Sequence, residues 1–142
     1  MLKSNTKKAR LNLMRYIRTA SAPYYIENCG NPADITDDEL CALILDEFKQ
    51  NWSHEFERNF RRCAAIPYQK MFLDWGSGLT AGGLFDFYYH CNASDILGDI
   101  LEETDAERAQ FTEEQAETRL GYLIFAEVLH RAEKSGLCRL PY

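Results

Sequence analysis

The sequence predicts an all-α protein, a compact single-domain bundle of five to seven helices with a buried C-terminal helix near residues 113–134. Three observations lead to this prediction. Apolar residues recur at spacings of three and four, as on one face of an α-helix. Capping boxes at Thr36 and Thr112 mark two helix starts. No segment shows the sustained alternation of polar and apolar residues that is typical of a strand.

The N-terminal third predicts two helices separated by a loop. Residues 5–20 have apolar side chains at helical spacing, and residues 1–20 hold six cations and no carboxylate. We therefore expect a basic N-terminal helix over 1–20, which could pack loosely. Two prolines and a glycine predict a loop over 21–35. Thr36 then opens the second helix, with its hydroxyl accepting from the Glu39 amide and the Glu39 carboxylate returning to the Thr36 amide.

The middle of the chain predicts three further segments. Ser53 is placed to cap a third helix, and Pro67 to open a fourth that ends at Gly76. An aromatic segment over roughly 80–91 follows.

The C-terminal part predicts two more helices. Ser94 is placed to cap the first of them, which turns Leu97 and Ile100 inward and Asp95 and Asp99 outward. Thr112 opens the last, which we expect to be the longest and to end at Gly136. Between residues 120 and 129 this helix is apolar on nearly every face, so it should be the central element of the fold.

Length and composition limit the class of protein. The 142 residues suit one domain over 1–142, and 46% hydrophobic residues exclude a disordered tail protein. The N-terminus lacks the apolar core of a signal peptide, and no apolar run approaches the roughly 18 residues of a membrane span. The five cysteines show no CxxC spacing, which is typical of reduced, buried thiols. We therefore expect a cytoplasmic protein with no membrane partner.

Charge is distributed unevenly along the chain. Residues 94–117 hold nine carboxylates against Arg108 alone, and the formal net charge is −6. The basic helix over 3–18 could bind phosphate backbones, but it lacks a helix-turn-helix partner and any Gly/aromatic nucleic-acid motif. The alternative is that it packs by its apolar face and pairs with the acidic helix of its own chain. We expect the second arrangement, and so no direct nucleic-acid partner.

Motifs for cofactor or metal chemistry are incomplete. Gly76-Ser77-Gly78 fits a loose dinucleotide fingerprint, but a helical pattern precedes it instead of a strand, so we interpret these glycines as a helix stop. His54-Glu55 begins like HExxH, but Arg58 occupies the position of the second histidine. We predict no cofactor and no metal site, although a structural zinc assembled from distant residues stays an alternative.

Glu127 is the first candidate for acid–base chemistry. It lies in the apolar stretch of the last helix, where burial would raise the pKa of its carboxyl group. Arg131 follows four residues later, in the favourable order for a helical ion pair. We predict a structural pair and a protein that is not an enzyme. The alternative is a small enzyme that uses Glu127 or His90.

A protein-binding surface is predicted from tyrosines next to carboxylates. Tyrosine contributes a large contact area at low entropic cost, and acidic groups attract basic partners. The predicted binding residues are Asp86, Tyr88, Tyr89, Asp95, Asp99, Glu102 and Glu103.

Several stretches carry a family resemblance. They include Met1–Arg10, Leu73-Asp74-Trp75, Tyr88-Tyr89 with Asn92, Leu97–Thr104 and Phe111–Glu117. Together they resemble a family of small uncharacterised proteins encoded on conjugative elements and prophages of gut Clostridia, most strongly over about 85–134. The family has no assigned activity. The resemblance implies a mobile-element cargo protein, and such cargo often counters host defence, including anti-CRISPR and anti-restriction proteins.

The functional expectation combines these observations. We expect a non-catalytic binding module that engages a basic protein surface, such as a nucleic-acid-handling defence nuclease, through its acidic 95–117 face. The alternative is a regulator or assembly factor of the mobile element, acting through self-association.

Overall fold

Five helices form the described part of the chain, and no strand occurs there. The computed structural model describes residues 2–29, 34–51, 57, 58, 60, 61, 63 and 92–136. The helices are α1 (Leu2–Cys29), α2 (Asp37–Asn51), α3 (Ala93–Leu101), α4 (Asp105–Arg108) and α5 (Glu113–Ser135). The all-α bundle predicted from the sequence is confirmed. The features predicted at Ser53, Pro67, Gly76 and 80–91 lie outside the described residues.

Helix α5 is the centre of the bundle. It packs against α1, α2 and α3, and every residue from 120 to 129 is buried. Leu123 has no exposed surface, and the ring of Phe125 lies 6.4 Å from that of Phe48 on α2. The prediction of a buried C-terminal helix near 113–134 is therefore confirmed.

Helix α1 differs from the prediction. It continues through Pro23 to Cys29, where the sequence predicted a loop from residue 21, and its 28 residues exceed the 23 of α5, which was expected to be the longest. Proline weakens a helix because it removes one amide donor and its ring crowds the preceding turn. Local propensity of this kind is a weak prior that the rest of a structure can override. Leu13 and Ile17 of α1 are fully buried, so the face of α1 that carries them lies in the core.

Side-chain caps open the helices at the two predicted capping boxes. The Thr112 hydroxyl accepts from the Gln115 amide at 3.1 Å, and the Gln115 side chain accepts from the Thr112 amide at 2.8 Å. The Thr36 hydroxyl accepts from the Glu39 amide at 3.1 Å, as predicted. It also donates to the Glu39 carboxylate at 3.0 Å, where the sequence predicted that the carboxylate accepts from the Thr36 amide. Each cap satisfies an amide that the helix leaves without a partner.

The cap predicted at Ser94 is wrong. Helix α3 begins two residues earlier, with Asn92 at the cap position, and the Asn92 side chain makes no cap hydrogen bond. The Glu113 carboxylate accepts from the amides of Ala93 and Ser94 at 2.5 and 3.3 Å instead. A carboxylate is well suited to this position because the N-terminal end of a helix has a partial positive charge. The start of α3 is thus stabilised by the start of α5, a contact with no signature in the local sequence.

Two buried thiols allow a test of the core. Burial raises the pKa of both Cys41 and Cys63 to about 12, so both thiols stay protonated at neutral pH. Because the thiolate is the reactive form, we expect iodoacetamide to leave these two residues unmodified in the folded protein and to modify them in denaturant. Mass spectrometry of peptides measures both states. Rapid modification of Cys41 in the folded protein would contradict the packing of α2.

Candidate protein-binding surface

The outward face of α3 presents two of the predicted carboxylates. The side chains of Asp95 and Asp99 are 75% and 80% exposed. They lie four residues apart and so are neighbours on one face of the helix. Leu97 and Ile100 point to the opposite side and are buried in the core. The division of α3 into an apolar inner face and an acidic outer face is as predicted.

Arg108 folds back over α3 and contacts both carboxylates. Its guanidinium group donates to Asp99 at 2.9 Å and to Asp95 at 3.4 Å. The side chain crosses Gly98, where a Cβ atom would lie 2.2 Å from the Arg108 Nε. Glycine at this position therefore leaves the room that Arg108 needs. Because one guanidinium is shared by two carboxylates, the three side chains together retain one net negative charge.

Gly98→Ala tests this arrangement. The added methyl group occupies the space of the Arg108 Nε, and we expect the flexible side chain to move into solvent and leave Asp99. The fold should persist, because alanine favours a helix over glycine by about 1 kcal/mol. The measurement is the Nε–Hε resonance of Arg108 by NMR, assigned with Arg108→Lys. An unchanged resonance in Gly98→Ala would contradict the close approach.

The two glutamates after α3 have different environments. Glu102 adopts a left-handed backbone conformation with φ of 55° at the end of the helix, and its exposed carboxylate pairs with Lys8 at 2.9 Å. Glu103 is only 5% exposed and pairs with the buried Arg119 at 2.9 Å. The Arg119 guanidinium also lies 3.9 Å from the centre of the Phe111 ring. The chain leaves the helix at Glu102, so Glu103 turns toward α5 instead of solvent.

The placement of Glu103 corrects the predicted binding set. We use the name α3 acidic surface for the exposed carboxylates Asp95, Asp99 and Glu102. Glu103 belongs to a buried ion pair and not to this surface. The other predicted members, Asp86, Tyr88 and Tyr89, lie outside the described residues.

The basic helix α1 pairs with three other elements of its own chain. Lys8 reaches Glu102 in the acidic stretch, as expected from the charge pattern. Arg18 contacts Asp37 of α2 at 2.9 Å, and Arg10 contacts Glu127 of α5 at 3.3 Å. The intramolecular pairing of α1 is therefore distributed over α2, the end of α3 and α5, which the sequence did not predict.

Glu127 is fully buried and contacts two arginines. Arg131 donates to it at 3.1 Å, as the sequence predicted, and Arg10 donates at 3.3 and 3.4 Å. Arg131 also contacts Asp38 of α2 at 3.2 Å. Burial acts to lower the pKa of Arg131, but attraction to Glu127 and hydrogen bonds to Glu127 and Asp38 together outweigh it and hold that pKa above its usual value. This cluster joins α1, α2 and α5.

Arg10 and Asp38 were missed by sequence reasoning because they lie far from their partners along the chain. Arg10 is separated from Glu127 by 117 positions, and Asp38 from Arg131 by 93. Helical spacing, the signal that predicted the Glu127–Arg131 pair, acts only within one helix.

An open groove of about 380 Å³ lies between α1 and α3, beside the acidic surface. Tyr16 and Ile96 contribute apolar surface to it, and both are partly buried against the core. Arg15 and Asp99 contribute opposite charges, and both are exposed. The groove therefore combines apolar and charged lining, as protein interfaces do.

The described residues lack two further features. No group of three His, Cys, Asp or Glu side chains there could hold a metal ion. No helix there combines the length and apolar character needed to cross a membrane. His90, the second candidate for catalysis, lies outside this part of the chain.

Comparisons with protein-family models, curated proteins and solved structures found no match to this chain.

Proposed function

We propose that the chain is a non-catalytic binding protein of a mobile element, which acts in the cytoplasm and engages a basic protein partner through the α3 acidic surface. One observation carries the proposal: Asp95 and Asp99 are at least three quarters exposed and share the single guanidinium group of Arg108. Exposed charge of one sign steers an oppositely charged partner and selects against others. The overall charge of −6 acts in the same direction.

The partner that this surface fits is a nucleic-acid-handling protein. Such proteins present basic grooves for phosphate, and an acidic helical face is complementary to a groove of this kind. The family resemblance of the sequence favours a host defence nuclease as the target. The proposed activity is therefore inhibition of the anti-CRISPR or anti-restriction type.

The buried Glu127 cluster supports a binding protein over an enzyme. A general acid or base must reach a substrate within hydrogen-bond distance. Glu127 has no exposed surface, and its two oxygens accept from Arg10 and Arg131. These contacts favour a structural role for the carboxylate.

Affinity purification from a defence-competent host tests the proposal. Mass spectrometry of the retained proteins should identify a nuclease or its guide complex with the wild-type chain. Reversing Asp95, Asp99 and Glu102 to lysine should abolish the retention. A matched control reverses three exposed carboxylates outside the α3 acidic surface, at Asp34, Glu57 and Glu114, and should keep the partner. Retention only of the chain itself or of element-encoded transfer proteins would support the regulator alternative.

Removing Arg108 should have the opposite effect to removing the carboxylates. In Arg108→Ala, Asp95 and Asp99 lose the cation that they share, so the surface becomes more negative. We expect tighter binding of a basic partner, chiefly through faster association, and a steeper loss of affinity with added salt. Kinetic binding measurements over a salt series report both quantities. Slower association of Arg108→Ala would contradict recognition by charge at this surface.

A further inference from the structure

Leu11 lies on the surface of α1 and is exposed to solvent. Its side chain is 56% exposed. A single exposed leucine is ordinary on a protein surface. Leu11, however, precedes Arg15 by four residues on α1, so the two are neighbours on the helix surface. Arg15 lines the α1–α3 groove, so Leu11 lies next to a residue of the groove lining.

The groove offers a place for an apolar side chain. Ile96 and Tyr16 supply its apolar lining, and its volume of about 380 Å³ far exceeds that of one leucine side chain. The exposed Leu11 side chain and the apolar part of the α1–α3 groove thus lie near each other on the surface. A side chain cannot insert into the groove that its own helix lines, but it can insert into the same groove of another copy.

Charge in the groove is also self-complementary. Arg15 and Asp99 both line it, one on α1 and the other on α3. A two-fold axis brings the same patch of two copies together, so that residue i of one copy meets residue j of the other, and the reverse. Such an axis through the groove allows Arg15 of each copy to face Asp99 of the other.

We propose that two copies of this chain form a symmetric dimer through the α1–α3 groove, with Leu11 of each copy seated in the groove of the other. The two Arg15–Asp99 pairs across the axis fix the register. The proposal goes beyond the binding of a basic partner and does not depend on it. It uses one member of the α3 acidic surface, Asp99, and leaves Asp95 outside the dimer contact.

Sedimentation velocity of the full chain over a concentration series tests the dimer. We expect a concentration-dependent equilibrium between monomer and dimer. Leu11→Asp should raise the dissociation constant by about tenfold or more, because it replaces a buried apolar contact with a charge. Leu11→Ala should have a smaller effect in the same direction. Because Leu11 is mostly exposed in the monomer, both variants should keep the circular dichroism spectrum and melting temperature of the wild type at a concentration at which the wild type is monomeric.

A charge exchange tests the register. Arg15→Asp and Asp99→Arg should each be monomeric, since each places like charges together across the axis. An equimolar mixture of the two variants should dimerise, because the introduced aspartate then meets the introduced arginine, and the native Arg15 of one chain meets the native Asp99 of the other. Asp95→Arg is the control. It also alters a contact of Arg108, but it lies outside the groove lining and should keep the wild-type dissociation constant.

These variants separate the dimer from the proposed function. Leu11→Asp should lose the dimer and still capture a basic partner, whereas Asp95→Arg should weaken capture and keep the dimer. A wild-type chain that stays monomeric up to high micromolar concentration would overturn the proposal. A dimer unaffected by Leu11→Asp would also overturn it, as would a mixture of the two charge variants that fails to associate.

Discussion

Leu123→Ala should lower the free energy of unfolding by about 2–5 kcal/mol, the range for truncating a leucine in a packed core. Leu123 is fully buried in α5, the helix against which α1, α2 and α3 all pack. The truncation loses the transfer free energy of the removed carbons and adds the cost of the cavity that remains. At the centre of three helix contacts, the surrounding side chains have little freedom to close that cavity.

Denaturant unfolding followed by circular dichroism measures the effect. Leu11→Ala is the matched control, because it makes the same chemical change at a mostly exposed position on α1. It should change stability by no more than about 0.5 kcal/mol, as surface substitutions usually do. A loss below about 1 kcal/mol for Leu123→Ala would contradict the central position of α5.

Glu127→Gln should lower stability by about 3 kcal/mol, since removal of one member of a buried ion pair leaves the other charge without compensation. Here one carboxylate compensates two guanidinium groups, those of Arg10 and Arg131. Both arginines retain some exposure, so they can turn partly to solvent, which places the expected cost near the lower end for buried pairs. Glutamine preserves the shape of the side chain, so the change isolates the charge.

Asp99→Asn is the control for Glu127→Gln. It removes the charge from a carboxylate that also contacts arginine, but one that is 80% exposed. Exposed ion pairs contribute little, so its stability should change by less than about 1 kcal/mol. Thermal unfolding compares the two variants. Equal and small losses of stability in the two variants would show that the Glu127 cluster does not stabilise the packing of α1 and α2 on α5.

Features encoded by a few neighbouring residues could be predicted from the sequence. The capping box at Thr112 and the Glu127–Arg131 pair each depend on residues within one helical turn. The inner and outer faces of α3 follow from helical periodicity. These predictions needed no knowledge of how the helices pack, and the structure confirms them.

Contacts between distant parts of the chain could not be predicted. Glu113 caps α3 from the start of α5, and Glu103 turns inward because Arg119 is placed next to it. The position of Arg108 requires glycine at residue 98, which only the folded chain brings together with it. An excess of carboxylates in a stretch of sequence therefore overstates the exposed negative charge, since the fold supplies cations from elsewhere.

The most direct test of recognition by the α3 acidic surface compares two changes on one captured partner. The first reverses Asp95, Asp99 and Glu102, and the second is Glu127→Gln. Partner affinity and melting temperature are measured for both at a temperature at which both are folded. We predict that the surface variant loses the partner with little change in melting temperature. We predict that Glu127→Gln keeps the partner and melts at a lower temperature. Full affinity in the surface variant, or lost affinity with unchanged melting in Glu127→Gln, would contradict a binding protein that acts through α3.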